Sequence, residues 1–152
     1  MTVRRATGPG VYAELAGTPQ APREARALVS HALGDDHPQV HDARLVISEL
    51  VSNAITHSQS GQPGGTVAVA LEIAPQSGDV RIQVRDAGGP KTPAPAGTGT
   101  GREHGRGLAI VTALAADWGT ETGPAGRATW CRLSTSQRTA ATTDRVPERE
   151  AG

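Results

Sequence analysis

A chain of 152 residues has room for one substantial core and not for two comfortable ones. Its 15 basic and 15 acidic side chains cancel, so no overall field draws in a nucleic acid or an anionic membrane. The single Cys131 excludes an internal disulfide framework and a Cys/His metal cluster. With aromatics at 2% and no Phe, the core must be built from Leu, Val, Ile and Ala, side chains that suit helices packed closely on a sheet.

No segment reaches the apolar length of a bilayer span. "MTVRRATGPG" leads into no apolar run of the signal-peptide kind, so the expected location is the cytoplasm. The first regular element is a strand over "VYAELAG", Val11 to Gly17. A helix follows in "TPQAPREARALVSHAL", with Thr18 as its cap, Pro19 in its first turn and Pro22 marking a later alternative start. A second helix is predicted from His41 to His57, because Ala43, Val46, Ile47, Leu50, Val51, Ala54 and Ile55 recur at helical spacing. The turn-rich "SQSGQPGG" ends it. The period then changes to two: "TVAVALEI" (Thr66 to Ile73) and "DVRIQVRD" (Asp79 to Asp86) read as a hairpin. "AGGPKTPAPAGTGTGREHG" holds too much Gly and Pro for either regular element and reads as a loop over a ligand. A third helix starts at Arg106, with Leu108, Ala109, Val111, Thr112 and Ala115 inward, and "WGTET" and "RATWCRL" close the fold as a hairpin turning at Pro124 to Gly126. Cys131 falls within the second of these strands as a small sheet residue rather than a reactive thiol. The polar tail from Ser134 has no periodicity and is expected to be disordered. The outcome is one domain over 11–133 with a tail over 134–152. Its architecture is an α/β two-layer sandwich, helices on one face of a mostly antiparallel sheet.

Three pieces of this pattern carry chemistry. Glu49 and Asn53 stand four apart on the second helix, about 6 Å along its axis, and so address one object. Alone, they read as the edge of a solvated face. Asp86 ends a strand and is followed by Gly88 and Gly89. That is ordinary turn chemistry, and it is also how a carboxylate would accept from the amino group of a heterocycle while the backbone passes close to the ring. Gly101, Gly105 and Gly107 lead into the third helix, where unpaired N–H groups attract phosphate. The spacing fits neither the P-loop nor the dinucleotide fingerprint, and no Lys is placed to meet phosphate charge, which leaves Mg²⁺, N–H groups and Arg106.

In order and spacing, "ELVSNAITHS", "DAGGP" and "HGRGLAIV" resemble the N, G1 and G2 boxes of the GHKL superfamily of Bergerat-fold ATP-binding domains. Within it the chain is most similar to the small bacterial anti-sigma-factor serine/threonine kinases, over roughly Val11 to Leu133. The resemblance implies ATP with Mg²⁺, Glu49 as the residue that orients or deprotonates the attacking hydroxyl, and Asn53 as the magnesium ligand. It implies Asp86 and Gly88 at adenine, Gly101, Gly105, Arg106, Gly107 and Leu108 around the phosphates, and Thr129 as a hydroxyl near adenine. Arg23 and Arg26 resemble basic residues that meet a partner protein, although a solvated helix face explains them as well. The implied partners are a sigma factor, an antagonist protein and a second copy of the chain. A non-catalytic module that senses ATP or ADP is the alternative. Two departures stand out: Pro90 takes the place of a further glycine, and the Pro/Ala/Gly-rich loop offers little but backbone before Arg102.

Overall fold

The computed structural model describes residues 2–5, 9–89 and 104–136, with side chains at 3, 9–89 and 107–136. Its elements are β1 (Thr2–Arg5), β2 (Gly10–Ala16), α1 (Ala21–Leu33), α2 (Val40–His57), β3 (Thr66–Ile73), β4 (Val80–Asp86), α3 (His104–Leu114), β5 (Asp117–Gly123) and β6 (Gly126–Leu133), with a 3-10 turn at Gln59–Gly61. The strands form one sheet in the order β1-β2-β3-β4-β6-β5, and every pairing between them is antiparallel. All three helices lie on one face, so the expected two-layer sandwich is the fold.

Alternation decides which side of each strand is buried. In β3, Val67, Val69 and Leu71 face the helices, and in β4 Val80, Ile82 and Val84 do the same, all almost wholly buried. Register lines Val69 up with Val84 and Leu71 with Ile82, which stacks β-branched and aliphatic side chains across the strands. Onto this face α2 sets a stripe of Val46, Ile47, Leu50, Val51 and Ala54, and α1 adds Ala25, Leu28 and Val29. Each Val, Leu or Ile so enclosed contributes about 1.5 to 3 kcal/mol, and no aromatic is needed at the centre. Cys131 is completely buried in β6, and burial pushes its thiol up to about 12, so it is a core atom and not a nucleophile. On the other face Trp130 lies over Gly119, with the Arg81 guanidinium 5.2 Å from its ring centroid.

Four local expectations need correction. The helix α1 begins at Ala21 with Pro22 in its first turn, and Thr18 is not its cap; the Thr18 carbonyl instead accepts the Ala21 N–H at 3.0 Å in the turn before it. The third helix starts two residues earlier than Arg106, and its inward stripe is Gly107, Val111 and the half-buried Leu114, while Ala109 and Thr112 face outward. Spacings of four and then three keep a stripe on one side of a helix, and positions 109 and 112 fall off it. The strand β1 was not foreseen. "TVRR" carries one apolar residue, Val3, which stays 47% exposed, so this edge strand is held by its ladder to β2 and leaves no pattern to read. Finally, the core does not stop at Leu133. Ser134 is buried, its carbonyl accepts the side-chain N–H of the buried Gln39 at 2.8 Å, and Thr135 donates to the Ser77 carbonyl and to Asp79. Residues 137–152 lie outside the described residues.

Candidate functional site

The C-terminal half of α2 is the backbone of the candidate site. Glu49 and Asn53 are half-buried rather than fully solvated, because the first turn of α3 comes down on them. A methyl group added at the buried Gly107 would stand 3.0 Å from the Glu49 carboxylate and 3.1 and 3.4 Å from the two ends of the Asn53 amide. These contacts are tighter than ordinary packing, so a side chain at this position would have to push the ends of Glu49 and Asn53 aside. Helix spacing alone left the pair open to a reading as a solvated edge; the tertiary structure turns both side chains toward the start of α3.

One turn further along, α2 meets the exit of β4. The Gln59 N–H donates to the Gly88 carbonyl at 2.9 Å, and the buried Ser60 hydroxyl accepts the Ala87 N–H at 2.9 Å. Gly89 lies against the backbone of His57 and Ser58. Gly88 has φ +74, a conformation that costs a side chain but not glycine. The segment after Asp86 is thereby pinned to the end of the helix that carries Asn53.

Asp86 itself is only 4% exposed and faces the helix layer. One carboxylate oxygen accepts the Gly88 N–H at 2.7 Å and the other accepts from the Arg127 guanidinium at 3.0 Å. Arg127 had no place in the sequence reading. Its position is set by register, since it stands directly opposite Asp86 on β6, and α3 and β5 lie between the two strands in the chain. Beside it, Gly126 has φ +112, and a Cβ there would fall onto the Asp86 carbonyl oxygen, so the β5–β6 turn is locked to the same strand end. Thr129 lies two residues on, on the same sheet face as Asp86, paired with Val84 and Thr120 and half-buried.

The other expected residues are placed less completely. Gly105 and Arg106 lie in the first turn of α3, with the Arg106 side chain outside the described residues, as are Gly101, Pro90 and Arg102. Leu108 is half-buried, and its carbonyl accepts from the Thr112 hydroxyl, which in turn accepts from the Trp118 indole at 3.1 Å. Arg23 is exposed and Arg26 half-buried on α1. Among the described residues no group of three or more His, Cys, Asp or Glu is arranged to hold a metal ion, and no helix is long and apolar enough to cross a membrane. A shallow depression lined by Ala70, Glu72, Arg81 and Gln83 is on the opposite face of the sheet and involves none of these groups.

The donor set nonetheless suits Mg²⁺. That ion keeps several waters and takes one or two hard protein oxygens together with phosphate oxygens rather than a full protein cage. The Asn53 amide oxygen, half-buried beside Gly107, is an oxygen of that kind.

Comparison with known proteins bears on the family and the fold. The family described as histidine kinase-like ATPase domain matches residues 11–133. Among solved structures, the RsbU and RsbW domains of Rv1364c from Mycobacterium tuberculosis are 26% identical with a TM-score of 0.60, covering 86% of this chain and 33% of that one. The chain thus spans about a third of that protein's length. The histidine kinase domain of a blue-light activated histidine kinase from Erythrobacter litoralis, 17% identical with a TM-score of 0.52 over 81% of this chain and 63% of that one, shares the fold. A search of curated proteins finds no match.

Proposed function

The chain belongs to the histidine kinase-like ATPase domain family, matched over residues 11–133, and from that premise we propose that it is a cytoplasmic, Mg²⁺-dependent protein serine/threonine kinase that controls transcription by partner switching. In one state it would bind a sigma factor, in another phosphorylate an antagonist protein, alone or as a homodimer. The observation that supports the reading best is the seating of Gly107 against Glu49 and Asn53. It joins an acid, an amide and the N-terminal turn of a helix, which are the parts a phosphoryl transfer needs in one place. The likeness to a structure containing an RsbW domain supports the biological setting.

In this reading Asp86 accepts from the amino group of adenine, with Thr129 on the same sheet face. The N–H groups at the start of α3 face the phosphates, and Asn53 offers its amide oxygen to the cation. Mg²⁺, when bound, would offset phosphate charge that no lysine among the described residues is there to meet. Glu49 orients the acceptor hydroxyl and takes its proton as the γ-phosphoryl group passes to that oxygen and ADP leaves.

Two substitutions test it. Glu49→Ala should leave Mg-ATP binding close to that of the parent and abolish transfer from radiolabelled ATP to the antagonist. Asn53→Ala should weaken binding and transfer together, with melts recorded to exclude unfolding. Unchanged transfer in Glu49→Ala would remove the base assignment. A parent protein that binds ATP but never transfers to a confirmed antagonist would be a nucleotide-sensing, protein-binding module instead.

A further inference from the structure

The carboxylate assigned to adenine is already engaged. Asp86 has one oxygen on the Gly88 N–H and the other on Arg127, and the two side chains are 4% and 8% exposed. While the pair stays as it is, a base would meet a carboxylate that is 4% exposed and already accepting at both oxygens. As a purely structural tie the pair is poorly made. The Nε–H of Arg127 is buried with no acceptor among the described residues, and a buried donor left without a partner is unfavourable; two buried charges also give up their hydration. A guanidinium that turned out toward water would regain hydration at Nε in exchange for its contact to Asp86 and the packing of its stem.

Resting on the proposed ATP site, we propose that Arg127 is an internal occupant of the base subsite, and that it sets nucleotide affinity by competing with the adenine amino group for Asp86. The terminal N–H of the guanidinium presents to the Asp86 carboxylate the same kind of donor that an exocyclic amino group would. Binding then exchanges one N–H donor for another: the base takes the carboxylate oxygen and Arg127 swings away from β4. Two neighbours keep the exchange local. The Gly88 N–H holds the second carboxylate oxygen throughout, and Gly126, packed on the Asp86 carbonyl, fixes the strand end from which Arg127 projects. Arg127 is thereby a residue that determines how tightly, and for which base, the site closes.

The test compares the parent with Arg127→Met, which keeps the length and packing of the side chain and removes its donors, and with Arg127→Lys, which keeps the charge but presents a shorter, single donor group. Binding of Mg-ATP is measured by calorimetry, alongside purine riboside triphosphate, which lacks the amino group. Arg127→Met should bind ATP about tenfold or more tightly than the parent, since a competing charge-assisted hydrogen bond has been removed. Most of that gain should be absent with the purine analogue. Arg127→Lys should fall between the two, and it carries the test if the methionine variant does not fold. Equal or weaker ATP binding by the folded variants would overturn the proposal and make Arg127 a structural tie or a direct nucleotide contact. Failure of the parent itself to bind ATP would remove the proposed function, and this inference with it, and is distinguished by that parent measurement.

Discussion

Gly107 is the residue on which the candidate site turns, because it is where two separate parts of the chain touch. Replacing it with Ala should favour the helix slightly, by about 0.5 to 1 kcal/mol, while driving a methyl group against Glu49 and Asn53. Both neighbours meet it with the far ends of their side chains, which can move aside. The expected outcome for Gly107→Ala is therefore a melting temperature near the parent's, with Mg-ATP affinity down by about tenfold or more as both groups are displaced from their working positions. Calorimetry and a thermal melt on the same sample decide it; unchanged affinity would show that the nucleotide does not use this cradle. Glu49 and Asn53 were legible as residues in the sequence, and their common face followed from a spacing of four. That the face is covered by α3 was not legible, because a helix pattern reports its own sides and not what packs on them. Arg127 shows the same limit more sharply. A basic residue after a glycine turn carries no local signal, and only the β4–β6 register makes it the partner of Asp86.

Among the elements, α2 and β4 were foreseen almost to the residue, since an unbroken apolar stripe and a strict alternation each impose one solution. The ends were not. A chain reading places the boundary of the core where apolar periodicity stops, at Leu133, whereas hydrogen bonds among the described residues continue past it. Ser134 receives the Gln39 amide, Thr135 binds Asp79 and Ser77, and the Ser134 and Ser136 hydroxyls are 2.8 Å apart. Truncation should reveal the difference. A chain ending at Ser136 keeps all of these bonds and should melt with the full-length protein. One ending at Leu133 leaves the buried Gln39 amide without its acceptor, a loss of about 1 to 3 kcal/mol, read as a lower midpoint in urea. Equal midpoints for the two truncations would show that this polar clasp contributes nothing.

At the scale of the whole molecule, Asp79 joins parts that are distant in sequence: the β3–β4 hairpin, the end of β6 through Arg132 and Thr135, and, through Arg132 again, Asp117 on β5. Burial acts to raise its pKa, but the Thr135 N–H and the Arg132 guanidinium outweigh it and hold the carboxyl below its ordinary value. A carboxyl whose pKa is lowered by folding stabilises the fold above its unfolded pKa, about 3.9, and that contribution is lost as pH falls through the lower folded value. The stability difference between the parent and Asp79→Asn should accordingly be constant from about pH 7 to 5 and shrink below about pH 4, as followed by urea unfolding; a gap independent of pH would mean that the charge is not what matters. The same joining of distant parts separates what the chain alone determined from what folding decided. Composition and period were enough for one α/β sandwich, for three helices on one sheet face and for the order in which the carboxylates and glycines occur, because burial of apolar side chains acts locally along a strand or a helix. The partner of Asp86, the contact of α3 on Glu49 and Asn53, the edge strand β1 and the clasp beyond Leu133 were decided by tertiary structure. Each depends on register or on hydrogen bonds between segments far apart in sequence, and such bonds leave no periodic trace in the residues that make them.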